Sequence, residues 1–259
     1  MRLDVLLLPS ELLARPRPES FAVVVDVIRA TTSVVSAFRH GCRSILPVSS
    51  PEEARAKLAA SPGAVLAGEQ GGRRIPGFAL GNSPREFARV PVAGQDVILT
   101  TSNGTKALRA VGAGRTVAIG AFPNRAAVGA WLAARRADAL IVCSGYEGLF
   151  SLEDAVCAGA IVDRAIRLAG QLHLGDGARA CLTLWGRYGS DLRQLLRETD
   201  WGRRIVELGL GEDLDICAAL DVTDVVPQMV EGRITLAPDH TPAGGREIRE
   251  PNTGSSPLG

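Results

Sequence analysis

Short aliphatic runs, many of them β-branched, alternate with alanine-rich stretches of helical period through about the first 170 residues. That alternation predicts an α/β fold, a largely parallel sheet flanked by helices. Strands are expected at Asp4 to Leu8, Phe21 to Val27, Ser44 to Val48, Ala64 to Ala67, Asp96 to Thr100, Thr116 to Ile119 and Ala139 to Val142. The intervening helices announce their starts. Ser50-Pro51-Glu52-Glu53 combines an N-cap serine, a proline at the first helical position and a capping-box glutamate. Pro123 opens a helix through Arg135, and Ser151-Leu152-Glu153-Asp154 caps one that runs to about Leu168, with Gly170 as its stop. From Ala178 the period is mainly helical up to one last strand, Arg233 to Leu236. The Pro-, Gly-, Ser- and Thr-rich run after Pro238 predicts a mobile tail, so residues 1–238 are expected to form the domain and 239–259 to lie outside it.

Composition narrows the chemistry. At 259 residues and 46% hydrophobic, the chain can bury a sizeable core as one domain or two small ones. Twenty-nine basic residues against twenty-eight acidic ones leave a net charge of +1, so no global field favours nucleic acid or an anionic membrane, and any anion must be held locally. The apolar run Val5 to Leu8 is bracketed by Asp4, Pro9 and Glu11, which fits neither a signal peptide nor a spanning helix; a cytoplasmic protein is expected. The low net charge and apolar helix faces are compatible with a homodimer. Five scattered cysteines read as reduced core thiols, and neither they nor the three histidines have metal-ligand spacing. Chemistry therefore falls to Asp, Glu, Arg, Thr and Asn.

In open parallel sheets, ligands bind beyond the carboxyl ends of the strands. Four loops at that end carry unusual residues: Asp26 to Ser33, Gly68 to Gly72, Thr100 to Lys106, and Cys143 to Gly148 running into Glu153-Asp154. Asp26 closes a run of three valines and reads equally as a helix cap or a functional carboxylate. Arg29 with Thr31, Thr32 and Ser33 at a helix start suits an anion, although Asp26 and Arg29 could simply pair. Asn103-Gly104 followed by Thr105-Lys106 has the form of a phosphate cradle or of an ordinary turn, and lacks the spacing of a nucleotide P-loop. Glu69, Glu153 and Asp154 each have structural readings. Together with two anion sites they suggest Mg²⁺ and a phosphorylated ligand. Cys181 to Arg187 matches a C-x5-R phosphatase spacing without its glycine-rich loop, and Ile28 stands where an aspartate-nucleophile phosphatase has its second aspartate.

These segments in order, Val25 to Ser33, Gly68-Glu69, Gly77 to Pro84, Thr100 to Thr105, and Ser151 to Asp154 followed by Ala158-Gly159-Ala160, resemble the motifs of the 2-phosphosulfolactate phosphatase family over about Val23 to Pro227. The resemblance implies an α/β fold, with two similar lobes as one form of it, and a Mg²⁺-dependent phosphatase converting 2-phospho-3-sulfolactate to sulfolactate and phosphate in coenzyme M biosynthesis. On this reading Asp26 is the catalytic carboxylate, attacking phosphorus or activating water. Glu69 holds the metal with Glu153 or Asp154. Arg29 meets the phosphoryl charge with Thr31, Thr32, Thr101, Asn103, Gly104 and Thr105. Asn82, Ser83, Arg73 and Arg74 are candidates for the substrate's sulfonate and carboxylate. One departure stands out: Cys143-Ser144-Gly145 is followed by Tyr146-Glu147-Gly148-Leu149-Phe150, bulkier than the family's usual Cys-Ala-Gly turn. Substrate fit there is expected to differ. The rival readings are a phosphatase for another small phosphorylated hydroxy acid and a binding protein that grips an anionic metabolite without hydrolysing it.

Overall fold

A computed structural model describes residues 1–14, 19–102, 104–111 and 115–237. The predicted tail, 239–259, lies outside them. The described strands are β1 (Arg2–Leu6), β2 (Phe21–Val25), β3 (Ser44–Val48), β4 (Val65–Gln70), β5 (Arg73–Arg74), β6 (Asp96–Thr100), β7 (Thr116–Gly120), β8 (Ala139–Cys143), β9 (His173–Leu174), β10 (Gln228–Val230) and β11 (Arg233–Thr235). The helices are α1 (Glu11–Ala14), α2 (Ala30–Arg39), α3 (Pro51–Ala60), α4 (Pro84–Arg89), α5 (Gly104–Val111), α6 (Arg125–Arg135), α7 (Leu152–Ala169), α8 (Asp176–Tyr188), α9 (Leu192–Glu198), α10 (Asp200–Glu207) and α11 (Asp213–Cys217).

All the strands join one sheet, in the order β5-β4-β6-β3-β11-β10-β7-β2-β8-β1-β9. It contains two parallel blocks. One is β4-β6-β3; the other is β7-β2-β8-β1-β9. The antiparallel hairpin β10–β11 splices them, β11 pairing with β3 and β10 with β7. The sequence pattern anticipates the α/β class and a last strand at β11 but not β10 or the splice, because Gln228–Val230 is too short to show an alternation and strand partners are not a local signal.

Strands β2 and β8 are apolar at every position because both sheet faces are covered there. In β2, Val23 and Val25 face a core shared with α6, α7 and α8, whereas Ala22 and Val24 face one shared with α2 and α5. Several expected boundaries move for identifiable reasons. The first strand ends at Leu6 rather than Leu8 because the Glu11 carboxylate accepts the N–H groups of Leu7 (2.9 Å) and Leu8 (3.0 Å). The second stops at Val25 rather than Val27 because the Val27 N–H turns to Asp154. The fourth continues past Ala67 to Gln70 because β5 folds back on it, so Glu69 sits within a strand. The helix expected from Pro123 begins with a 3-10 turn at Phe122–Asn124, and the one capped by Ser151 ends at Gly170 as expected.

The five cysteines are buried and free. Cys181 lies inside α8 with its thiol pushed up to about 12 by burial, which excludes it as a nucleophile at neutral pH.

Helix α7 packs on α8 through Gly159. A Cβ there would stand 1.9 Å from the Cys181 carbonyl oxygen, so the backbones meet with no room for a side chain. Overpacking of this kind costs about 1–3 kcal/mol, so Gly159→Val should lower the thermal midpoint by roughly 2–10 °C. Gly186→Ala on α8, where a Cβ meets nothing within 4 Å, should leave it unchanged or raise it.

Candidate active site

Asp26 directly follows β2, and the chain turns through Val27 to Arg29 into α2. One carboxylate oxygen, Oδ1, accepts the Ala30 N–H at 3.0 Å and so completes the start of that helix. The other, Oδ2, faces Gly104, where a Cβ would lie 2.8 Å away. The Thr31 hydroxyl is clasped to the Asp26 backbone: it accepts from the Asp26 N–H (3.0 Å) and donates to the Asp26 carbonyl (2.8 Å). Thr32 donates to the Val27 carbonyl (2.8 Å). Both hydroxyls, expected to grip an anion, are spent on shaping the turn. Arg29 does not pair with Asp26. Its guanidinium bonds Asp213 on α11 (2.6 Å) and the Gly72 carbonyl (2.7 Å), with both side chains of the ion pair 3% exposed.

The other parallel block supplies the facing wall. Glu69 accepts the Ser102 N–H (2.7 Å), the Gly72 N–H (2.8 Å) and the Ser102 hydroxyl (3.2 Å). Thr101 and Thr105 lock the start of α5. The Thr101 hydroxyl accepts the Thr105 N–H and the Thr105 hydroxyl donates to the Thr101 carbonyl, both at 3.0 Å. Asn103, a predicted substrate contact, lies outside the described residues. Ser83 caps α4 by accepting the Glu86 N–H (3.3 Å) and donates to Asp213 (2.6 Å), so its hydroxyl supports the Arg29 pair from behind. The Asn82 side-chain oxygen is buried and has no hydrogen-bond partner.

Glu153 and Asp154 occupy the first turn of α7. Asp154 accepts the N–H of Val27 (2.8 Å) and of Gly145 (3.2 Å), tying the exits of β2 and β8 together. Burial pushes its pKa well above the usual carboxylate range, and the nearby Asp26 and Glu153 push it further. Glu153 is raised to about 7, chiefly by burial and also by Asp26, against the pull of its own amide and the Ser151 and Thr199 hydroxyls. Asp26 is raised to about 6, first by burial; the Ala30 amide and Ser144 hydroxyl lower it, Glu69 raises it and Arg29 lowers it.

A cavity of about 210 Å³ opens where the carboxyl ends of the two blocks meet. Of the expected site residues, Asp26, Arg29, Glu69, Asn82, Thr101 and Gly104 line it. Thr31, Thr32, Ser83, Thr105, Glu153 and Asp154 are buried and do not line it, and Arg73 and Arg74 are exposed on β5. Glu69 thus lines the cavity without Glu153 or Asp154, one of which is its expected partner in holding a metal. Among the described residues no three acidic, histidine or cysteine side chains are placed to hold an ion. Tyr146, Glu147, Trp201 and Arg204 also line the cavity. Tyr146, in the loop whose bulk departs from the family pattern, stacks on Trp201 with ring centroids 4.6 Å apart. No local signal in α10 marks Trp201 or Arg204, because tertiary packing alone brings that helix to the cavity.

The raised Glu153 carries a stability consequence. A carboxyl with a higher pKa folded than unfolded holds its proton better in the native state, so stability falls as pH rises from about 4.5 through about 7 and then levels. Glu153→Gln in metal-free protein should flatten that fall and raise the midpoint of thermal unfolding at pH 8, the shift corresponding to on the order of 3 kcal/mol at most. A lower midpoint for the variant at pH 8 contradicts this electrostatic account.

No helix among the described residues is long and apolar enough to cross a membrane. The model of the 2-phosphosulpholactate phosphatase family matches residues 6–232. A probable 2-phosphosulfolactate phosphatase of Deinococcus radiodurans is 39% identical over 246 residues, 94% of this chain and 97% of that protein. Proteins of the same description from Symbiobacterium thermophilum (37% over 217 residues, 83% and 93%) and a Synechococcus strain (38% over 243 residues, 92% and 100%) are similarly related. With the match running through both parallel blocks and every wall of the cavity, the chain belongs to the 2-phosphosulfolactate phosphatase family of phosphoric monoester hydrolases.

Proposed function

We propose that the cavity hydrolyses 2-phospho-3-sulfolactate to 3-sulfolactate and inorganic phosphate with the help of Mg²⁺, and that in a host that makes coenzyme M this product serves that synthesis. The observation that carries the mechanism is the placement of Asp26 and Glu69, carboxylates from different parallel blocks, in the lining of one small polar cavity. The donors fit the ion. Mg²⁺ takes one or two carboxylates with water and phosphate oxygens, and Glu69 and the unpartnered Asn82 oxygen are hard donors facing the same space. These two residues would hold it. When bound, it neutralises and polarises the phosphoryl group.

Asp26 remains for the chemistry. Its Oδ1 is fixed by the Ala30 amide while Oδ2 faces the cavity, which suits either attack on phosphorus or removal of a proton from the attacking water. Burial holds its pKa at about 6, so it is ionised at neutral pH yet more basic than an ordinary aspartate. Arg29, locked by Asp213, contributes positive charge at a fixed place rather than a mobile clamp.

Phosphate release from 2-phosphosulfolactate, measured with Mg²⁺ and then with chelator, tests the reading. Asp26→Asn should keep the Ala30 contact and the fold but lose about 10²–10⁴-fold in turnover. Near-normal turnover in that variant removes Asp26 from both roles. Selective release from a different phosphorylated hydroxy acid moves the substrate, and tight binding without metal-dependent release moves the function to anion binding. The acid limb of kcat/KM should fall near pH 6 at low Mg²⁺, because a proton on Asp26 stops either role, and should move lower as the ion is raised. A limb that stays near pH 4 under both conditions is incompatible with Asp26 as the titrating group.

A further inference from the structure

The cavity has an imbalance of charge. Asp26, Glu69 and Glu147 face it with two arginines among the described lining residues, Arg29 and Arg204. Arg29 is matched inside the protein by Asp213, with its pair fully enclosed. Arg204 is different. It projects from α10 with about half its side chain exposed, and its partner is the still more exposed Glu207 of its own helix, at 2.9 Å. An exposed pair three residues apart on a helix is weak, so the guanidinium can exchange Glu207 for a ligand anion at little cost.

The surroundings of Arg204 are rigid. Tyr146 and Trp201 stack into an aromatic wall on the same side of the cavity, and Trp201 sits one helical turn before Arg204. The helix is held over the β4–β5 turn: a Cβ on Gly72 would meet the Leu208 side chain at 2.6 Å and the Trp201 ring at 3.4 Å. That turn also carries the Glu69 and Arg29 contacts, so the distance from α10 to the phosphoryl end of the cavity is set by packing.

We propose that Arg204, backed by the Tyr146–Trp201 stack, is the recognition residue for the substrate's sulfonate, the anionic group more remote from the phosphoryl group than the carboxylate. This rests on the phosphatase reading and adds to it the source of selectivity. The phosphoryl group belongs at the Asp26 and Glu69 end; the sulfonate, one bond further from phosphorus than the carboxylate, needs a cation of its own, and Arg204 is the lining arginine whose partner is exposed. A planar fork matches the oxygens of either group. A phosphomonoester without the sulfonate leaves Arg204 on Glu207 and gains nothing from it.

The test compares 2-phosphosulfolactate with 2-phospholactate, which lacks the sulfonate, in the wild type, Arg204→Met and Arg204→Lys. We expect Arg204→Met to lower kcat/KM for 2-phosphosulfolactate by about ten-fold or more, mostly through KM, while that for 2-phospholactate changes by less than about three-fold. Arg204→Lys should recover part of the loss, because it keeps the charge and not the fork. Thermal midpoints should be unchanged, since the side chain is half exposed. Equal losses on both substrates, or no loss on either, overturn the proposal. Direct titration with 3-sulfolactate and with lactate separates it from the catalytic reading: if no ester is hydrolysed, weaker binding of sulfolactate alone to Arg204→Met still sustains the subsite. Failure of the wild type to prefer sulfolactate over lactate overturns it whatever the turnover.

Discussion

The enclosed ion pair between Arg29 and Asp213 holds together parts of the chain that share no strand pairing. Asp213 comes from α11 and Arg29 from the turn after β2, 184 positions earlier. Ser83 steadies the aspartate, Gly72 accepts a second arginine N–H, the Gly72 amide bonds Glu69, and Glu69 bonds Ser102. One connected network thus fixes the β2–α2 turn, the β4–β5 turn, the entry to α4, the β6–α5 loop and α11. Removing one member of a buried pair strands a charge at a cost of about 3–5 kcal/mol, so the network tolerates little partial occupancy. Its use here is preorganisation: the walls of the cavity are set before any ligand enters.

Opposed to this network is a concentration of negative charge. Asp26, Glu153 and Asp154 gather at the exits of β2 and β8: Asp26 raises the proton affinity of Glu153, both raise that of Asp154, and Glu69 raises that of Asp26. The fold moderates the repulsion with the free amides at the starts of α2 and α7 and with hydroxyls from Ser144, Ser151 and Thr199. That explains why so many hydroxyls gather at the strand ends while, of the threonines and serines there, only Thr101 and Ser102 line the cavity among the described residues. They serve the turns and the acids, leaving cations and metal-binding oxygens to meet the ligand.

Much of this was legible in the residues. The periodic strands, the proline-led helices and the serine caps are local signals, and Ser50, Ser83 and Ser151 accept the amides three residues on. Asp26 and Glu69 stood out because a carboxylate ending an apolar run is out of place in a strand. The hydroxyls of Thr31, Thr32 and Thr105 bond backbone carbonyls, which sequence does not reveal, because it shows that a hydroxyl is at a helix start and not which backbone group it turns toward. Asp213, Trp201 and Arg204 were illegible for a different reason. Each acquires its meaning from a partner in another part of the chain, and an acidic helix start or an exposed arginine has the same local appearance whether or not such a partner exists.

The hairpin that splices the two parallel blocks also imposes an order on folding. Arg233 reaches Ser44 across 189 positions, and β10 and β11 fill the gap between β7 and β3. During synthesis both blocks can collapse on their own helices while still unjoined, their inner edges open to wrong pairings. The sheet becomes continuous only when these two short strands emerge, well after the residues they connect. Contacts so distant in sequence are slow to form. A cavity built from both blocks is thus a late product of folding, and the last strands made, which do not line it, govern when the protein first becomes competent to bind a ligand.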